Sequence, residues 1–311
     1  MTLFSILVLS RWIHFTAVCL LFGSSFFWFY MGGQRSMAGA GGLPRTLRAT
    51  IFLLRIAAPV AALSGLVWLA GILANMTGGF GNVFDPENLH LFFFETQFGP
   101  VSICRLFLLA AAAVIAICPG GSRAWFAALL CVAALLLINQ AWFGHAVEGG
   151  AGLYGAAMII AYSVHMLAAG AWVGGLPPLL FTLAEQRRFK PHQAREWTFE
   201  IVSRYSFMAM VAVALVVMSG TANAGFRVAG AFDKLFWTAY GDVLVAKLAG
   251  IALMLTLALF NRFVAMPRLR AGSWKGVTPI ISLQASVAIE FTLAIFVLGI
   301  AAVLGITPPP Q

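Results

Sequence analysis

Eight long apolar stretches divide the chain, at roughly 4–30, 50–75, 100–118, 123–144, 154–183, 201–224, 242–264 and 279–304. With a rise of about 1.5 Å per residue, helices of this length cross the ~30 Å hydrocarbon core of a bilayer. None alternates apolar and polar positions residue by residue, as a transmembrane β-strand would. The expected fold is an all-α polytopic membrane protein with eight transmembrane helices. The first stretch is too long for a secretory signal and no basic residue precedes it, so it is expected to remain as a helix. Against this apolar background a few polar positions stand out: His14, His165 and Glu290 near the middle of their stretches, with Arg11, Arg105 and Lys247.

Composition agrees with the pattern. Of the 311 residues, 61% are hydrophobic and 9% charged, where a soluble domain carries roughly 25% charged residues. The net charge of +9 could indicate nucleic-acid binding, but in a membrane protein it reads as loop asymmetry. One set of connections holds eleven basic residues: Arg35, Arg45, Arg48, Arg123, Arg187, Arg188, Lys190, Arg195, Arg268, Arg270 and Lys275. The alternate set holds only Arg227 and Lys234. By the positive-inside rule the first set faces the cytoplasm, and an even number of spans then puts both termini outside. In a bacterium this is an inner-membrane protein with periplasmic termini. Cys19, Cys104, Cys118 and Cys131 form no CxxC pair and read as packing residues.

The polar landmarks recur in order. His14 is followed by Ala17 and Gly23, and His165 by Ala168 and Gly174, at identical spacings. Thr96–Leu106 and Thr238–Leu248 share four of eleven positions, and Arg105 falls opposite Lys247. The expectation is an internal duplication, residues 1–150 and 151–311, each a four-helix repeat. Since four is an even number, the repeats share one orientation and are related by an axis along the membrane normal, with sites near their interface.

An ionisable side chain deep in a bilayer is costly unless it is paired or serves an ion or water. Counted along the helices, His14, His165 and Glu290 lie at similar depth, with Met166, Met208, Met210 and Met254 in the same layer. The partner of Glu290 is open between Arg11, Lys247 and a histidine. Imidazole, thioether and carboxylate together suit copper. Met158 precedes His165 by seven residues and shares its helix face. His145 and Met76, at outer ends of spans, could begin a path inward. The outer connection 76–99, with Asp85, Glu87, His90 and Glu95, could collect cations. The candidate metal ligands are thus His14, His165, Glu290, Met166, Met208, Met254, His145, Met158, Met76 and His90.

Several stretches carry a resemblance. They are His165-Met-Leu-Ala-Ala-Gly-Ala-Trp172-Val-Gly174-Gly175, Arg204-Tyr205-Ser206-Phe207 leading to Ser219-Gly220, and Tyr240-Gly241 through Lys247-Leu248. Asn261-Arg262, Glu290 and the closing Leu304-Gly305-Ile306-Thr307-Pro308 complete the set. Residues 140–310 resemble the CopD/PcoD copper-resistance family in this order, and the Arg11-Trp12-Ile13-His14 opening fits it less distinctively. The resemblance implies copper uptake across the inner membrane beside a soluble periplasmic copper carrier. This sequence contains no such carrier segment, so the partner is expected to be a separate protein. The departure from that resemblance is the absence of a dense Met- or His-rich metal tract.

The second half is also similar to HemJ-type four-helix proteins, which implies haem b bound through His165 and Lys247. Arg105, at the matching place in the first half, is a poor axial ligand because guanidinium keeps its proton. A membrane assembly factor without transport is the third possibility. No Walker-type GxxxxGK[ST] or aspartyl-phosphate loop occurs in the sequence. The expectation is therefore a copper transporter driven by gradients or chelation, and not an enzyme; a haem protein would be an oxidoreductase.

Overall fold

A computed structural model describes residues 2–31, 44–143, 150, 152–187, 191–228, 238–271 and 279–308. Its long helices are α1 (Leu3–Met31), α2 (Pro44–Thr77), α3 (Phe98–Ile117) and α4 (Arg123–Asn139). They continue with α5 (Leu153–Gln186), α6 (Pro191–Val228), α7 (Ala239–Phe260) and α8 (Pro279–Leu304). All eight carry a stretch long and apolar enough to cross a membrane. No strand occurs among the described residues. The expected spans match these helices, but α2 and α6 run several residues beyond their apolar windows. Backbone hydrogen bonding does not stop where lipid does, and a helix continues into water until a cap or breaker ends it.

Local signals explain the ends. Ser122 accepts from the Trp125 amide at the start of α4, and Thr238 accepts from the Gly241 amide at the start of α7. Arg55 donates to the carbonyls of Ala116 and Cys118 and so closes the end of α3. A π-helical turn, Asn261–Ala265, carries α7 into a short helix, Met266–Ala271.

The two histidine-bearing helices form the centre. α1 packs against α2, α4, α5 and α8, and α5 packs against α1, α2, α4, α6 and α8. Between α1 and α5 the backbones touch. A Cβ on Gly174 would fall on the Cys19 carbonyl, and one on Gly23 would fall on the backbones of Gly170 and Gly174. Ser24 Oγ donates to the Gly174 carbonyl at 2.8 Å. Lipid offers no hydrophobic drive for helix association, so small residues permitting close approach supply the contact. Farther along, Glu185 near the end of α5 accepts from the amides of Arg45 and Thr46 and from the Thr46 hydroxyl. This buried carboxylate caps the start of α2.

The outer helices are less alike. α3 lies against both α2 and α4, whereas α7 packs chiefly on α8. Among the described residues α6 and α7 barely touch, and the space between them belongs to the site.

Candidate metal centre

Both histidines occupy similar seats. His14 Nδ1 lies 2.9 Å from the Ala61 carbonyl, and the ring packs on Gly65. His165 Nδ1 lies 3.2 Å from the Val216 carbonyl and 3.2 Å from Ser219 Oγ, and its ring packs on Gly220. Ser64 and Ser219, each just before the glycine, turn their hydroxyls back onto their own helix carbonyls. A carbonyl can only accept, so Nδ1 carries the proton in both neutral rings and the lone pair lies on Nε2.

The two lone pairs meet different surroundings. Arg105 Nη2 sits 2.6 Å from His14 Nε2, and the same guanidinium donates to Asn139 and Gln140 at 2.9 and 2.8 Å. Trp68 and Phe143 flank it, with their ring centroids 4.9 and 5.0 Å from Cζ. His14 is therefore fully engaged and wholly buried. Arg105 acts as its partner, a role that residue type alone did not reveal.

His165 Nε2 has no hydrogen-bond partner among the described residues. It lies on the wall of a cavity of about 190 Å3 enclosed by α1, α5, α6, α7 and α8. Met158, Met166 and Met254 share that wall, as do Lys247, Arg11 and Tyr162. Where Trp68 follows Gly65 by three residues, Asn223 follows Gly220, and Asn223 lines the cavity. The cavity reaches the bundle end where α6 and α8 finish and α7 begins, through Arg227, Gly305 and Tyr240. Along α5 its deepest residues are Trp172 and Val173.

Glu290 differs from every expected pairing. It is buried and accepts from the Trp172 indole at 2.9 Å, with the Asn261 amide as a second donor. No cation pairs with it among the described residues. Trp172 follows His165 by seven residues, about 10 Å along the helix, so Glu290 lies below the imidazole. Its donors are an indole and an amide, and depth counting by helix position could not see them.

The other candidates scatter. Met208 is buried in the core without lining the cavity. Met76 is exposed, and exposed His90 lies 3.5 Å from Glu95. His145 lies outside the described residues. Among the described residues no three His, Cys, Asp or Glu side chains gather as a metal site, so a copper centre here would rest on one imidazole and thioethers. His165 and Lys247 do face one space.

Known proteins are similar to this chain over most of its length. Residues 1–156 match the family described as "Copper resistance protein D-like, N-terminal domain", and residues 199–304 match "Copper resistance protein D". The chain is 30% identical to the "Copper transport protein CutJ" of Bacillus subtilis (strain 168), covering 96% of this chain and 52% of that protein. It thus spans about half the length of that relative. It is 29% identical to the "Inner membrane protein YebZ" of Escherichia coli (strain K12), over 84% of each chain. Against the "Copper resistance protein D" of Pseudomonas syringae pv. tomato the identity is 28%, over 96% of this chain and 95% of the other. No solved structure matches the chain. With one family description covering half of the sequence and the other most of what remains, the chain belongs to the copper resistance protein D family.

Proposed function

We propose that this multi-pass membrane protein moves copper from the outer face of a bacterial inner membrane across the bilayer, with His165 as the imidazole ligand. Met158, Met166 and Met254 supply thioether sulfur, a set suited to Cu(I). The single observation carrying this reading is the open Nε2 of His165 on a cavity that three methionines share. Copper names among the relatives support the choice of metal. In this reading the four-helix halves, 1–150 and 151–311, are one duplicated unit. The first has its metal position filled by Arg105, so His14 becomes a structural residue. Glu290 orients Trp172 beneath the site rather than binding copper. The charge asymmetry of the loops puts both termini in the periplasm, where a separate copper-carrier protein would deliver the metal. The role is transport, with no catalytic step.

Copper accumulation in cells tests this. Cells making the wild-type protein should accumulate copper above a vector control, and His165→Ala should fall to that control at equal membrane abundance. Undiminished accumulation in His165→Ala would remove this histidine from the route.

A further inference from the structure

The cavity beside His165 has a charge imbalance that copper alone does not explain. Its wall carries three cationic side chains, Arg11 from α1, Arg227 from α6 and Lys247 from α7, and no carboxylate among the described residues. They are close enough to feel one another's charge. Glu290 is kept out by Trp172, to which it is bonded, and Asp242 in the first turn of α7 is exposed.

Arg11 is 6% exposed, and its Nε has no hydrogen-bond partner among the described residues. The Arg227 Nε is likewise buried and unpartnered. The guanidinium of Arg11 reaches the Tyr162 side chain and lies over Phe15 and Trp68, with Cζ 5.1 and 5.7 Å from the ring centroids. Arg227 lies over Tyr240 at 5.5 Å. Aromatic faces soften isolated cations but do not neutralise them. Charge shielded from water without a counter-charge is unfavourable, and here one buried guanidinium and two half-buried cations converge without a counter-charge among the described residues. Repulsion between Arg227 and Lys247 also acts across the gap where α6 and α7 stand apart.

We propose that this cavity binds a small monovalent anion of the halide or short-carboxylate class, held by Arg11, Lys247 and Arg227. A volume of about 190 Å3 equals roughly six water molecules, enough for such an ion and part of its hydration. The Asn223 amide and the Tyr240 hydroxyl add neutral donors on the same wall. The anion bridges α6 to α7 and offsets the cations that would otherwise repel a copper ion approaching His165. Anion binding needs no metal and so stands apart from copper transport.

Equilibrium dialysis of radiolabelled chloride against detergent-purified, copper-free protein, with bulky gluconate as the background anion, tests this. One saturable site per chain is expected, with acetate competing. Lys247→Met and Arg11→Gln should each weaken it roughly ten-fold or more, the scale of one lost charge-assisted hydrogen bond. Lys247→Arg should retain binding, and Arg123→Gln on the opposite set of loops should leave it unchanged. No saturable chloride binding, or binding that survives both Lys247→Met and Arg11→Gln, would overturn the assignment. So would inorganic phosphate displacing chloride where acetate cannot. Copper uptake lost in His165→Ala with chloride binding intact separates the two readings, as does copper uptake that persists with no chloride site.

Discussion

An imidazole inside a membrane protein is defined by who takes its lone pair. His14 and His165 share a tautomer, a carbonyl acceptor and a glycine seat. They part at Nε2, where one meets Arg105 and the other a cavity. His14→Ala should therefore act on stability. It removes two buried hydrogen bonds, one to a guanidinium, and leaves a cavity, together costing roughly 3 kcal/mol. His165→Ala should cost less, since only Nδ1 is bonded. Thermal unfolding of both variants in detergent checks the order, and equal losses would contradict it. The twin histidines were legible in the sequence because burial makes them anomalous. Their difference was not, because Arg105, held by Asn139 and Gln140, reaches His14 only through tertiary packing. Glu290 taught the same lesson, its donors being an indole and an amide from elsewhere in the chain.

Helices were the most legible scale, since twenty apolar residues leave few alternatives. The glycines at nine residues after each histidine were visible too, but only the packed bundle shows that they meet each other. Gly174→Ala should prevent α1 and α5 from closing, because the new methyl would occupy the place of the Cys19 carbonyl. Gly225→Ala on α6 has open space around its Cβ and should be neutral or gain up to about 1 kcal/mol from helix propensity. Size-exclusion profiles of the two variants should separate sharply, Gly174→Ala aggregating and Gly225→Ala eluting as wild type. The separation of α6 from α7 left no trace in the apolar pattern, because lipid and protein neighbours select similar residues.

At the scale of the molecule, one end of the bundle is built differently from the other. In the proposed topology the basic loops put the starts of α2 and α4 on the cytoplasmic side. Alkaline phosphatase fused after Gln311 should then be active, while a fusion in the 188–190 connection should not; the reverse pattern would invert the topology. On that assignment the cavity opens outward, with Trp172 and Val173 at its floor and Glu185 clasping α2 to α5 at the far end. The shape is a vessel sealed at the bottom. A guest that reaches His165 leaves by the mouth it entered, unless the helices around that floor part. Parting α2 from α5 at that end breaks three hydrogen bonds to one carboxylate, so in the proposed topology Glu185 holds the cytoplasmic ends of the two helices together.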